Sequence, residues 1–220
     1  MSLESALEAV VTDPQALAVW AVLVVASLVA VRYDLAANNA AIPRLMRWVW
    51  TLTVLYSGPL GLALYWFAGR TQIPHDSPWR RGVRSVAHCY SGCGAGEVLG
   101  VVVTVGVLSL GTTWVVAGTF TAAYAFGMAL TVGPLLEEGM AFPAAFRDAV
   151  YSETASITAM EATAIGVDLW LAGEAAIGDV LFWSSLVVSL TVGLVAAYPV
   201  NLALIHVGVK EGMGDPAEMG

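Results

Sequence analysis

The chain has 220 residues, 58% of them hydrophobic and only 12% charged, with 17 acidic side chains against 9 basic ones and a formal net charge of −8. Soluble domains carry about a quarter charged residues, so this chain has too little polar surface for a water-exposed globule. A mean hydropathy of +0.76 points instead to an all-α, multi-pass protein of the cell membrane whose first partner is the lipid bilayer. Composition excludes intrinsic disorder, two cysteines exclude a secreted disulfide scaffold, and the lack of a basic patch excludes nucleic acid as a partner.

Four stretches, 14–31, 48–69, 98–136 and 180–209, contain no Asp, Glu, Lys or Arg, and a spanning helix needs roughly 20 mostly apolar residues. The first span is expected at about 17–31, ending at Arg32. It is expected to be retained, because Glu4, Glu8 and Asp13 precede it where a signal peptide would be basic. A polar link leads to a second span at about 48–68, with Pro59 as a kink. Residues 70–85 are the longest hydrophilic stretch and separate this pair, residues 1–69, from a four-helix membrane core at 86–208. The apolar run from Val86 is too long for one crossing, and Gly111, Thr112 and Thr113 divide it into helices at about 86–109 and 114–134. A fifth span, about 152–171, has one polar face, and a sixth runs over about 180–207 with a bend at Pro199. Residues 209–220 form an acidic tail. The expected count is six spans, and six basic residues on one side against three on the other favour both termini inside.

Charge carries a second message. Lys210 is the only lysine and follows the last span, which argues against a retinal Schiff base. A lysine-poor acidic surface suits a halophilic source, where high salt screens self-repulsion.

The chemistry concentrates in residues 85–100, which hold both cysteines. On a helix, residues four apart lie above one another, so Cys89, Cys93 and Glu97 form one stripe beside His88, and Gly92, Gly96 and Gly100 form a neighbouring one. The glycine ridge lets another helix approach closely, as small residues do in membranes, within the chain or in a homo-oligomer. Thiolates, an imidazole and a carboxylate suit a thiophilic ion such as Cu(I) or Zn(II). The plainer reading of each cysteine is a small buried hydrophobe.

In an up-and-down arrangement, the starts of spans three and five share a side with the ends of four and six. His88, Cys89, Cys93, Met128, Glu153, Met160, Glu161, Asn201 and His206 therefore converge on one half of the bilayer, with Cys93, Met128 and Met160 roughly 9–12 Å deep. Glu153, Ser156, Met160 and Thr163 share one face of span five, and Glu161 and Asp168 an adjacent one. A carboxylate at the bilayer centre costs a few kcal/mol unless paired or hydrated. Glu97, Glu161 and Asp168 are therefore expected to be protonated, to line water or to bind a cation.

The segments His-Cys-Tyr-Ser-Gly-Cys-Gly-Ala-Gly-Glu at 88–97, Ser-Ile-Thr-Ala-Met-Glu at 156–161, Phe-Trp-Ser-Ser-Leu at 182–186 and Tyr-Pro-Val-Asn at 198–201 resemble the membrane family called domain of unknown function 4396, over about residues 86–208. The resemblance implies no activity. It marks His88, Cys89, Cys93, Met160, Glu161, Pro199 and Asn201 as motif positions, and Glu97 as a place where the family carries an acidic residue, often Asp.

These readings give a metal-handling membrane protein, transporting a soft cation such as copper, with His88, Cys89, Cys93, Glu97, Met160 and Glu161 as candidate metal residues. A copper or zinc ion is expected and no nucleotide. A haem between His88 and His206 is disfavoured. Two alternatives stand beside it: thiol-disulfide redox chemistry at Cys89 and Cys93, and a non-catalytic scaffold.

Overall fold

The computed structural model describes residues 8–73, 75–173 and 175–219, so the Glu4 of the sequence reading lies outside the described residues. Six long helices follow one another: α1 (Pro14–Ala37), α2 (Arg44–Ala68), α3 (Pro78–Val101), α4 (Thr112–Glu137), α5 (Phe142–Leu171) and α6 (Val180–His206). Among the described residues there is no strand. Four of the six, namely α1, α3 with its extension to Val107, α4 and α6, are long and apolar enough to cross a membrane. The other two are long enough, with 25 and 30 residues, but α2 is diluted by Ser57, Gly58 and Pro59 and α5 by Glu153, Glu161 and Asp168. A count of six spans thus rests on those two.

Local sequence explains the starts. Asp13 caps α1 by accepting from the Gln15 N–H at 2.8 Å, with Pro14 in the first turn. Ser77 caps α3 in the same way at Arg80, followed by Pro78. In α2 the chain breaks helical geometry at Gly58, whose φ of 52° precedes Pro59, so the expected kink is real and glycine makes it feasible.

α3 is the centre of the molecule. Both flanking helices of the core pack on it, and residues 83–94 are buried without interruption. It starts at Pro78, eight residues before the expected start, so part of the hydrophilic linker is helix. α5 likewise starts ten residues earlier than its span was expected to, at Phe142. The pair α1 and α2 has its own core around Val31, Leu35, Trp50 and Tyr65, which joins α3 at Val83 and Ala87. Asp34 ties the pair to the following loop, accepting from Tyr65 at 2.8 Å and from Arg70 at 3.0 and 3.1 Å.

The glycine ridge faces α4. A Cβ on Gly92 would lie 2.9 Å from Gly127 Cα, one on Gly100 2.8 Å from Thr119 Cα, and one on Gly96 2.5 Å from Ala123 Cα. The ridge is thus used up inside the chain as helix packing. Of the two partners open to the ridge, the one found is a helix of the same chain: backbone of α4 covers these three glycines.

Candidate functional site

Beside the glycine stripe, α3 presents its sulfurs. Cys89 Sγ and Cys93 Sγ are 3.8 Å apart, both cysteines are free, and they are 2% and 0% exposed. The separation follows from the helix, since residues four apart are stacked along one face. α4 makes room for the lower sulfur at Gly127, where a Cβ would sit 2.8 Å from Cys93 Sγ. α5 closes the third side: the Ser156 hydroxyl lies 3.7 Å from Cys89 Sγ, while also donating to the Glu153 carbonyl at 3.0 Å. Met160, one turn beyond Ser156, is fully buried and packs on α6, where a Cβ at Gly193 would lie 3.3 Å from its Cγ.

Below the sulfurs the seam becomes carboxylic. Glu161 is 0% exposed and neither of its oxygens has a hydrogen-bond partner; Glu97 is 2% exposed with Oε2 unpartnered. Glu161 lies within electrostatic reach of both cysteines and of Glu97, and Glu97 within reach of Asp168. Glu97 and Asp168 share a cavity of about 30 Å³ with Thr119, lined otherwise by apolar side chains such as Val101, Ile165 and Leu186. That is room for a water molecule, and the unpartnered Thr119 hydroxyl supplies a further polar contact.

Above the sulfurs the seam meets a charge that the sequence reading placed elsewhere. Lys210 is not part of a free acidic tail. Its Nζ donates to Glu153 Oε2 at 2.7 Å and to Asn201 Oδ1 at 3.0 Å, with both charged side chains almost fully buried. Asn201 Oδ1 also accepts from the Ser85 hydroxyl at 3.0 Å. The chain returns because Gly208 and Gly212 adopt φ of 74° and 77°, a region open to glycine. Arg84, only 1% exposed, holds the returning segment by donating to the Met213 carbonyl at 3.0 Å, and pairs with both Asp76 oxygens at 2.9 Å. Partial burial pushes the Asp76 carboxyl up, but the Arg84 hydrogen bonds, the Ser77 N–H and the charges of Arg84 and Arg81 outweigh it and hold the group below its ordinary value.

The expected convergence of α3, α5 and α6 on one half of the molecule is therefore found, but the six candidate metal residues do not form one cage. His88 sits above the cysteines, near Glu153 and Lys210, with Nδ1 unpartnered. Cys89 and Cys93 share the middle, Glu161 follows, and Glu97 belongs with Asp168 and Thr119. Among the described residues no group of three or more His, Cys, Asp or Glu side chains is placed to hold one ion. The physical reason is spacing: four residues spread over two and a half turns of α3 and two adjacent residues of α5, pointing about 100° apart, form a line rather than a shell. His206 stands exposed on the last turn of α6, while His88 is sealed within α3.

Lys210, Gly127 and Thr119 are the participants that the sequence reading missed. Only Lys210 carried a signal, as the sole lysine of the chain.

The region from the first residue of α3 to the lysine that closes the seam is also the region that comparison with known families picks out. Residues 78–210 match the model of the family described as Domain of unknown function (DUF4396). The chain belongs to that family. No curated protein and no solved structure matches it. The DUF4396 region thus comprises α3 to α6 with Lys210, and leaves the α1 and α2 pair outside.

Proposed function

We propose that this protein takes a soft metal cation of the Cu(I) class into the four-helix core and passes it along the seam between α3 and α5. The observation that carries the reading is the Cys89 and Cys93 sulfur pair, 3.8 Å apart and sealed from solvent. Two thiolates bound to one tetrahedral ion at about 2.3 Å each stand about 3.8 Å apart, so an ion could be held between them with little movement of the helix. A disulfide, by contrast, needs about 2.05 Å between sulfurs, which favours ion binding over redox cycling. Thiolate donors with a buried methionine in the same core select soft ions over hard ones.

A resident structural metal is less suited to the arrangement than cargo is. Two sulfurs leave the coordination shell incomplete, and an incompletely held ion can leave as well as arrive. Glu161, with both oxygens unpartnered directly beyond the sulfurs, offers the next oxygen donor and a compensating charge. Glu97 and Asp168 continue the polar line beyond it.

Metal analysis of protein purified without chelator, followed by Cu(I) or Ag(I) titration against a competing chelator, tests the reading. Stoichiometric binding that is lost in Cys89→Ser and Cys93→Ser supports it. Absence of binding, together with unchanged ion uptake by proteoliposomes carrying either variant, would overturn it.

A further inference from the structure

We propose that Glu153, Asn201 and Ser85 form a binding site for a monovalent cation at the mouth of the seam, held in this conformation by Lys210 as a tethered ammonium that an incoming ion displaces. The inference deepens the preceding reading and rests on it only for the identity of the cargo.

The donors are those of an oxygen site for a cation. The carboxylate of Glu153 and the amide oxygen of Asn201 converge on one point, now the Lys210 nitrogen, at 2.7 and 3.0 Å. Asn201 is fixed at both ends of its amide, accepting from Ser85 Oγ at 3.0 Å and donating to the Ala197 carbonyl at 3.0 Å. An oxygen held in this way cannot turn away when the ammonium leaves. The charge also matches: one carboxylate is neutralised by one positive charge, which favours a monovalent ion over a divalent one.

Access and direction are both built in. A cavity of about 630 Å³ reaches Lys210 from the surface, and its lining includes Asp76, Glu211, Asp215 and Glu218 against Arg81 and Lys210. That acidic excess concentrates cations at the mouth. On the inner side, Ser156 lies one helical turn beyond Glu153 and already touches Cys89 Sγ. Lys210 therefore stands between the vestibule and the sulfurs. The segment that carries it can move as a strap, because glycines at positive φ, Gly208 and Gly212, stand on either side of it.

The chain's single lysine makes the proposal testable without altering Lys210. Its rate of modification by an amine-acylating reagent, read by peptide mass spectrometry apart from the terminal amine, reports how often the ammonium leaves the site. The assay uses the full chain in detergent with Cys89→Ser and Cys93→Ser, so that the sulfurs contribute nothing, with the parent chain in parallel in case that variant does not fold. Thallous ion is the monovalent probe. Acylation of Lys210 should be slow without it and rise saturably with it, by about tenfold when the ion stands at about ten times its dissociation constant. Glu153→Gln should remove the dependence on thallous ion. An acylation rate indifferent to thallous ion, or raised equally by a salt of the bulky quaternary cation tetraethylammonium, which cannot itself be acylated, would overturn the proposal. Copper binding by the cysteines is measured separately, so either result can fail while the other stands.

Discussion

Gly127 of α4 is pressed so closely against Cys93 of α3 that a single added methyl group would lie 2.8 Å from the sulfur. The packing of one helix thereby determines where the sulfur of another can be. Gly127→Ala should cost about 1–3 kcal/mol through overpacking and push Cys93 Sγ off its alignment with Cys89. Soft-ion affinity, read by Ag(I) titration, should fall by about tenfold, the equivalent of about 1.4 kcal/mol. Gly133→Ala on the same helix, where nothing lies within 4 Å, should leave affinity unchanged and stability unchanged or raised by up to about 1 kcal/mol.

The ridge on α3 makes a different prediction. Gly96→Val places branched carbon against the backbone of Ala122 and Ala123, which cannot yield as a side chain could. The helices must separate, at a cost of about 3 kcal/mol or more. Thermal unfolding in detergent should show a large loss of stability. A variant that stayed as stable as the parent but changed only its oligomeric state by size-exclusion chromatography would show that the ridge serves a second copy after all.

Glu161 should be dispensable for folding and required for function. Its carboxylate has no partner in the core, and burying a neutral amide is cheaper than burying a charge. Glu161→Gln should leave the melting temperature unchanged or raise it, whereas ion uptake by proteoliposomes should drop by about tenfold or more. A stability loss comparable to that of the Gly96 variant would assign Glu161 a packing role instead.

Asp76 gives the fold a dependence on acid. Its carboxyl is held below the ordinary value of 3.8 in the folded state, so its contribution is fully present above that value and is lost as pH falls through the lower, folded one. Asp76→Asn leaves the Arg84 guanidinium buried without its charge partner, which costs about 3 kcal/mol at neutral pH. Unfolding of parent and variant should therefore differ most at neutral pH and converge as the solution becomes more acidic than about pH 3.8.

The long helices were legible because apolar runs report on the bilayer directly, and the site helix because Cys89, Cys93 and Glu97 repeat at helical spacing. Charge in the sequence reads as loop, and α3 shows why that fails: Arg84 lies within the helix and is almost fully buried, which composition cannot reveal because its partners, Asp76 and the Met213 carbonyl, are set by tertiary folding. The place of Lys210 is hidden for the same reason, as 57 residues separate it from Glu153. The ridge is legible in the sequence but its partner is not, since a stripe of glycines states that something approaches without stating what. The cavity shared by Glu97, Thr119 and Asp168 needed three helices in register, and periodicity within one helix is silent about the rotation of its neighbours.

Beyond Val101 the helix widens into a π-helical segment, Val102–Val107, and a widened turn inserts about one residue, or about 100° of rotation. Within and beside that segment the exposure is mixed: Val103 and Val107 are 37% and 71% exposed, whereas Val101 and Thr104 stay buried, the Thr104 hydroxyl donating to the Gly100 carbonyl at 2.7 Å. On the proposed transport reading, a line of sulfur and carboxylate covered by the Lys210 ammonium at one end and met by the wide turn at the other would be closed at both ends. On that reading, migration of the wide turn is the movement that would open the far side.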